Sequence, residues 1–280
     1  MKATSKTKTV RNRKILVHAM LLAGVVIMVV PFIWMILTSL KTLGESTMVP
    51  PRIFPAVFQW KNYTEVQKTL PFGAFYYNTI VYTVVRTIGQ IIFCTMAGYA
   101  FARIEFPGRN VIFVILLSVL MIPGQVFLLP QFMIIKRLGL LNSISALILP
   151  GLFSSFGTFL MRQFFMTIPK ELEEAALLDG CNHFQIYLKI MMPLVKSGIV
   201  ALAITTCLSS WNSLMWPLIV NTSMDKMTLS AGLASLSGQH GTHYPMQMAG
   251  AVLSIWPMIL AFILFQKQFI EGISNTGSKA

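Results

Sequence analysis

Long apolar runs, separated by shorter polar stretches, make up most of this chain. Six of these runs are close to the roughly 20 residues that an α-helix needs to cross the hydrocarbon core of a bilayer. They predict membrane spans over residues 15–37, 75–101, 111–129, 143–160, 198–220 and 248–265. Pro123-Gly124 and Pro150-Gly151 fall inside two of the runs and predict kinks that neighbouring helices must accommodate. The pattern predicts an all-α integral membrane protein with six transmembrane helices.

The polar stretches define one predicted membrane domain, residues 15–266, between a basic tail (1–14) and a short polar tail (267–280). The first run has 23 residues. The apolar core of a signal peptide has roughly 7–15 residues, so we expect an uncleaved first span. Residues 38–72 and 221–247 are predicted to be loops on the outer side of the membrane.

Composition and charge agree with a membrane protein. The chain is 55% hydrophobic and 11% charged, whereas a soluble domain carries about 25% charged residues. The net charge of +13 comes mainly from basic residues at the ends of the apolar runs. Membrane orientation explains them better than nucleic-acid binding, which is not expected. Fourteen of the 22 basic residues fall on one side of the predicted membrane and seven on the other, which predicts cytoplasmic N- and C-termini.

The residues needed for several kinds of chemistry are missing from the sequence. Cys94, Cys181 and Cys207 have neither CxxC nor metal-site spacing, and His240 and His243 are interpreted as loop histidines, so no disulfide or metal site is predicted. There is no GxxxxGK[ST] pattern for nucleotide binding. All nine acidic residues lie outside the predicted spans, which argues against an intramembrane protease and against a proton-driven secondary transporter.

One long polar break, from Thr167 to Lys196, contains four of the nine acidic residues. Pro169 is suited to the first position of a helix, Gly180 to its C′ position, and Asn182 to the N-cap of a second helix. Pro193 is expected to stop or kink that second helix. The break is predicted to fold as helix, tight turn and helix. One face of the first helix would present residues at helical spacing, namely Leu172, Ala175, Ala176 and Asp179.

The order Glu174-Ala175-Ala176, Gly180 and Ile190-x-Met192-Pro193 resembles the EAA loop of membrane subunits in ABC-type importers. Segments along most of the chain, including Phe159–Phe165 and Trp211-Asn212 with Trp216-Pro217-Leu218, are similar to the smaller permease of the maltose-type, carbohydrate branch. This resemblance implies a type I ABC importer permease fold in which loop 166–196 docks on a cytoplasmic ATPase. It assigns ATPase coupling to Glu171, Glu174, Ala175, Ala176, Asp179, Gly180 and Pro193.

The same resemblance implies the partners and the location of the protein. They are a second permease subunit in a heterodimer, two ATPase subunits, an extracytoplasmic solute-binding protein and a carbohydrate substrate. ATP and Mg²⁺ would be bound by the partner ATPases, so no cofactor is expected on this chain. The protein is expected to be a multi-pass protein of a prokaryotic plasma or inner membrane, where it forms half of a path that opens by alternating access.

Polar and aromatic side chains in the predicted spans are candidates for the substrate path: Asn78, Arg86, Trp211, Asn212 and Trp216. Burying the charged side chain of Arg86 in a bilayer costs free energy. The residue is therefore interpreted either as a path residue or as a structural arginine bonded to carbonyl groups. Trp216 could be a path residue or an interface anchor. Two other hypotheses on function stay open: a permease for a polyol or an anionic sugar derivative, and a secondary transporter.

Overall fold

The computed structural model describes residues 3–238 and 241–277, so the predicted loop residue His240 lies outside the described residues. The first half of the chain folds into seven helices: α1 Ala3–Ser39, α2 Leu43–Ser46, α3 Lys61–Thr69, α4 Phe72–Arg103, α5 Arg109–Ser118, α6 Leu128–Arg137 and α7 Ile144–Ile148. Short 3₁₀ turns lie at Val119–Met121, Gly124–Phe127 and Leu149–Gly151.

The second half contains shorter helices and one long helix: α8 Ser155–Met166, α9 Glu171–Leu178, α10 His183–Ile186, α11 Met192–Leu194, α12 Lys196–Trp211, α13 Met215–Val220, α14 Leu229–Ala234 and α15 Tyr244–Gly277. A π-helical segment spans Tyr187–Met191 and a 3₁₀ turn spans Met224–Lys226. In the described residues the strands are limited to one antiparallel pair of two residues each, β1 Ser237–Gly238 and β2 Gly241–Thr242. This pair lies in the predicted loop 221–247.

Three helices are long and apolar enough to cross a membrane: Leu16–Ser39, Phe72–Arg103 and Tyr244–Ile263. Three further candidates are bent helix pairs: Arg109–Met121 with Gly124–Arg137 (103°), Ile144–Gly151 with Ser155–Met166 (43°), and His183–Leu194 with Lys196–Trp211 (79°). The structure therefore provides up to six spans, as the sequence predicts, but half of them are broken.

Two predicted spans need correction. The third does not merely kink at Pro123-Gly124, because the chain turns there by 103°. The fifth, predicted over 198–220, ends at Trp211 and is followed by the separate helix α13. Pro217 explains this second break, since its ring would clash with the carbonyl of residue 213 and it has no N–H to bond there. Asn212 adds to it by donating its side-chain amide to the Leu208 carbonyl at 3.0 Å.

Both predicted tails contain helix in the described residues. The first helix already begins at Ala3, inside the predicted tail 1–14, and α15 continues to Gly277, well into the predicted tail 267–280. No proline interrupts either stretch, so nothing in the local sequence stops the helices at the edges of the apolar runs.

The described chain divides into two compact units, one from residues 1–69 and 235–256 and the other from 70–234 and 257–280. In the second unit α4 is the central helix, and it packs against α8 and α12. The approach of α4 to α8 is close at Gly98, where a Cβ atom would lie 2.8 Å from Met161 Cβ and 2.9 Å from the Arg162 amide nitrogen. Glycine is needed there because the two backbones nearly touch.

Candidate functional site

The polar loop 167–195 folds as the predicted helix, turn and helix. Helix α9 ends in a Schellman motif: Gly180 adopts φ +83°, its N–H donates to Leu177 O at 3.0 Å, and Cys181 N–H donates to Ala176 O at 3.0 Å. Asn182 caps α10 in a reciprocal capping box with Gln185. One detail differs from the prediction, because Pro169 precedes the N-cap residue Lys170 and is not the first helical residue.

The second helix of the loop runs through the π-helical segment Tyr187–Met191 into α11. Pro193 lies exposed in α11, and the chain breaks two residues later at Val195 before α12 leaves at a 79° bend. The proline thus precedes a sharp change of direction, in agreement with its predicted role as a stop or kink.

The inner face of α9 differs from the predicted arrangement. Ala176 is 5% exposed and packs into a core with Tyr99, Phe165 and Tyr187. Glu173, one turn earlier on the same face, is also buried. Ala176 was predicted to belong to the surface that a partner approaches, whereas in the structure it packs against its own chain.

Glu173 connects the loop to the end of α4. Its Oε1 accepts the Tyr99 hydroxyl at 3.0 Å, and its Oε2 lies 3.9 Å from Arg103 Nε. His183 Nδ1 lies 3.9 Å from Oε1 on the other side. Arg103 also donates to the carbonyls of Phe165 (2.6 Å) and Ile168, at the end of α8. The carboxylate is therefore held at the junction of α4, α8 and the loop.

Neither Glu173 nor Arg103 was among the predicted coupling residues. The sequence did contain a signal, because Glu173 and Ala176 have i, i+3 spacing and an apolar alanine marks the inner face. The partner of Glu173 lies 70 positions earlier at the end of a predicted span, and no local pattern pairs the two residues.

The outer face of α9 is exposed and partly apolar. It consists of Leu172, Ala175 and Leu178, and Leu178 is 90% exposed. Exposed Phe184 and Leu188 extend this apolar surface onto the next helical turns. Glu171, Glu174, Asp179 and Gly180 are also exposed. The loop therefore presents large apolar side chains next to acidic ones, a composition suited to contact with another protein.

Arg86, in the middle of α4, takes part in a chain of polar contacts. Its Nη1 donates to Tyr82 Oη at 2.7 Å, and its Nε lies 3.4 Å from Gly151 O. Gln90 donates to the same carbonyl at 2.7 Å and accepts the Thr206 hydroxyl at 2.8 Å. The helix break after Gly151 leaves this carbonyl without a helical partner, and side chains of α4 satisfy it. These contacts agree with the structural interpretation of Arg86.

Asn78 was predicted to lie on the substrate path, but its amide is used elsewhere. The side chain is 3% exposed, and its Nδ2 donates to Asp225 O at 2.8 Å and Met227 O at 2.9 Å. The neighbouring Thr79 accepts the Leu229 N–H at 2.9 Å. Asn78 therefore anchors the loop that precedes α14 and is not available to a solute.

A second asparagine, missed in the sequence, holds the other side of this loop. Asn142 has φ +59°, and its Oδ1 accepts the amides of Thr222 (3.2 Å) and Ser223 (3.0 Å). Asparagine tolerates the left-handed region better than most residues.

The remaining path candidates lie around the break between α12 and α13. Trp211 is 8% exposed, and its carbonyl accepts the Ser230 hydroxyl at 3.1 Å. Trp216 donates its indole N–H to Ala146 O at 2.9 Å and packs in a core with Tyr82 and Leu147. Asn212 is exposed at the break. Of the five candidates, Asn212 presents the most accessible polar side chain.

A cavity of about 440 Å³ lies between α4, α12 and the middle of α15, at Met258 and Ala261. It is lined mainly by apolar side chains, with Thr83, Thr87 and Cys207 among them. The hydroxyls of both threonines are buried without a hydrogen-bond partner in the part of the chain that the structure describes. Buried hydroxyls usually have hydrogen-bond partners, so the lining of this cavity has two hydroxyls whose hydrogen-bonding capacity is unused.

The structure combines up to six candidate membrane spans, three of them bent helix pairs, with a polar loop whose outer face is exposed. A family model described as "Binding-protein-dependent transport system inner membrane component" matches residues 91–275. The chain belongs to this family. It is a permease subunit of an ABC importer, the non-catalytic membrane component of such a system.

Two curated relatives and one solved structure illustrate the similarity. The arabinooligosaccharides transport system permease protein AraQ of Halalkalibacterium halodurans is 40% identical over 202 residues, 72% of each chain. The sn-glycerol-3-phosphate transport system permease protein UgpE of Yersinia enterocolitica is 31% identical over 274 residues, 95% of this chain and 98% of the relative. A bacterial ABC transporter involved in the import of the acidic polysaccharide alginate superposes with a TM-score of 0.78 at 24% identity, covering 92% of this chain and 96% of that one. This last match shows the fold, that of type I ABC importer permeases.

Proposed function

We propose that the chain forms half of a carbohydrate path and couples it to ATP hydrolysis through the outer face of α9. The observation that carries the proposal is the contrast between the two faces of this helix. Glu173 and Ala176 hold the inner face to α4 and α8, while Leu172, Ala175 and Leu178 stay exposed. A force applied to the outer face of α9 would therefore be transmitted to α4 and α8, because the inner-face contacts hold the helix to them.

The docking partner is one of two ATPase subunits, which also bind ATP and Mg²⁺. Glu171, Glu174, Asp179 and the turn at Gly180 form the acidic rim of the contact. This assignment places loop 166–196 and both termini in the cytoplasm, in keeping with the excess of basic residues on that side. Domain 15–266 then crosses the plasma or inner membrane of a prokaryote, and an extracytoplasmic solute-binding protein delivers the substrate to the opposite side.

The second permease of the heterodimer covers the face that contains the 440 Å³ cavity. Helices pack in membranes through small residues and interhelical hydrogen bonds. Thr83 and Thr87 supply unused hydroxyls there, and Ala203 and Cys207 supply small side chains one turn apart. The solute then passes between the two subunits, with Asn212 as this chain's polar contribution.

A sugar or oligosaccharide is the substrate we propose. The relative AraQ is named for arabinooligosaccharides. Arg86, the basic residue in the middle of α4, has two donors engaged by Tyr82 and Gly151, which disfavours a role in binding an anion. A second candidate is a polyol or an anionic sugar derivative, because the relative UgpE is named for sn-glycerol-3-phosphate. Membership of the importer family removes the secondary transporter from consideration.

Reconstitution of the complete importer in liposomes tests this function. With the solute-binding protein present, ATP hydrolysis is expected to rise with the cognate neutral sugar and not with glycerol phosphate. Stimulation by the phosphate ester alone would favour the second candidate. Replacing exposed Glu174 by arginine is expected to leave the complex in the membrane and to uncouple uptake from hydrolysis. Normal uptake in Glu174→Arg would contradict the coupling role.

A further inference from the structure

The first unit contains an apolar segment that the transport function does not explain. Residues 49–60, here called the 49–60 segment, follow the end of α1 and precede α3. Its exposed fractions are high for apolar and aromatic side chains: Val49 94%, Ile53 57%, Phe54 67%, Val57 66%, Phe58 56% and Trp60 67%. A surface of this composition needs a partner other than water.

The segment is held in a fixed conformation. Lys41 Nζ donates to Arg52 O at 2.6 Å, and the Gln59 N–H donates to Leu40 O at 2.9 Å. Glu45 Oε1 accepts the Ala56 N–H at 2.8 Å, while its Oε2 accepts the Thr42 N–H at 3.0 Å. The hydrogen bond from the Thr42 N–H, and after it the one from the Ala56 N–H, lowers the pKa of Glu45. Because these contacts fix the segment at both ends, its apolar side chains cannot fold back onto the unit.

The contacts of Lys41 indicate at which position along the axis of α1 the 49–60 segment lies. Its Nζ lies 4.3 Å from the centre of the Trp34 ring while it bonds Arg52 O. Trp34 precedes the end of α1 by five residues, which is ~7.5 Å along a helix axis. The backbone at Arg52 therefore lies beside the last turns of the span Leu16–Ser39 and not beyond them. Aromatic side chains favour this depth, at the boundary between headgroups and acyl chains.

We propose that the 49–60 segment lies in the headgroup layer of the leaflet at the end of α1, and that its partner is the phospholipid surface. Phe54, Val57 and Phe58 point toward the acyl chains. Arg52 pairs with Glu45 at 3.6 Å and Lys61 with Glu65 at 2.9 Å, and with exposed side-chain fractions of 52% and 76% both also reach the headgroup layer. In the topology proposed above, this is the outer leaflet. The lipid contact itself holds for either orientation.

The neighbouring helix α3 provides an internal contrast. It buries Asn62 and Val66 and exposes polar residues such as Thr64, Gln67 and Lys68. If the whole unit faced water, large apolar side chains would be scattered singly on both surfaces and not concentrated on one. A solute-binding protein docks only transiently, so a site kept for it would leave the apolar residues in water between encounters. Lipid covers them continuously.

Nitroxide depth measurements on the complete transporter in nanodiscs test the proposal. Val57→Cys and the matched control Gln67→Cys are made in a variant in which Cys94, Cys181 and Cys207 are replaced. The ratio of oxygen to nickel-chelate collisions is expected to be about tenfold higher at position 57, because the polar chelate is excluded from the acyl region. Phe54→Cys serves as an independent second position with the same expectation.

Equal ratios at positions 57 and 67 would overturn the proposal. A chelate accessibility at position 57 that falls only when solute-binding protein is added would overturn it in favour of a docking site. Because nanodiscs expose both membrane faces, neither result depends on the coupling role of α9 or on the topology. Failure of that role would appear separately, in the uptake assay.

Discussion

The two ends of α4 each hold a loop, but with different chemistry. Near its start, Asn78 and Thr79 bond to the backbone of residues 225–229. At its end, Tyr99 and Arg103 contact the carboxylate of Glu173. The first contact recognises the main chain, so the identity of the loop side chains matters little there. The second depends on one charged side chain, so a single substitution removes it.

This difference fits the proposed tasks of the two ends. The loop that docks on an ATPase must transmit a movement, and Glu173 ties it to the end of α4 through the Tyr99 hydrogen bond and the 3.9 Å contact with Arg103. The loop at the other end needs only to keep its shape.

Replacing Glu173 by glutamine is expected to have the largest effect. It leaves the buried guanidinium of Arg103 beside a neutral amide, and removing one partner of a buried ion pair costs about 3 kcal/mol or more. We expect uptake in proteoliposomes to fall at least about tenfold at this cost, with basal ATP hydrolysis retained. The control is Glu105→Gln, an exposed carboxylate in the turn between α4 and α5, outside the docking surface. Equal uptake in the two variants would refute the role of Glu173.

The close packing of α4 against α8 gives the next largest effect. An added methyl at Gly98 would lie 2.8 Å from Met161 Cβ, whereas one at Gly73 would meet nothing within 4 Å. Gly98→Ala is expected to destabilise the protein by about 1–3 kcal/mol through overpacking. Gly73→Ala, in the same helix, should leave stability unchanged or raise it. Thermal unfolding of both variants in detergent checks this, and similar midpoints would contradict the packing.

At the start of α4, where the contacts are with the main chain of the loop, Asn78→Ala removes two hydrogen bonds to loop carbonyls. We expect a loss of about 1–3 kcal/mol, because these acceptors lose their buried partner. Asp225→Asn changes only the exposed side chain of a residue whose carbonyl is recognised, so no loss is expected. Limited proteolysis of the loop distinguishes the variants. Faster cleavage in Asp225→Asn than in Asn78→Ala would show that side chains, and not the main chain, are recognised.

The smallest effect on transport is expected for Arg86→Ala in the middle of α4. Gln90 still donates to Gly151 O, so the helix break keeps one partner. We expect less assembled complex, at a cost of about 1 kcal/mol for the lost hydrogen bonds, but unchanged uptake per complex. Uptake normalised to the amount of purified transporter tests this. A loss of normalised uptake would return Arg86 to the substrate path.

Local chemistry explains which parts were predictable from the sequence. The helix end at the C′ residue Gly180 and the Asn182 cap depend on residues within one or two turns, and both were predicted. The break at Pro217 had an equally local signal, but the apolar run that contains it was interpreted as one span. Length and hydropathy alone do not distinguish a straight span from a broken one.

The remaining differences between expectation and structure involve distant partners. Whether Ala176 faces inward depends on Tyr99, Phe165 and Tyr187, which lie on three other elements. Asn78 looked like a path residue because polar groups in spans are often functional, yet its partners are carbonyls almost 150 residues away. No pattern in the sequence marks a carbonyl group as the partner of a particular side chain.

Cross-linking at two adjacent alanines tests the central claim most directly. Ala175 is exposed on the outer face of α9, and Ala176 is 5% exposed on the inner face. With a cysteine introduced into the groove of the partner ATPase, Ala175→Cys should form a disulfide whose yield changes when ATP binds, and Ala176→Cys should not. Equal yields at both positions, or no cross-link at position 175 in an assembled complex, would contradict docking through the outer face of α9.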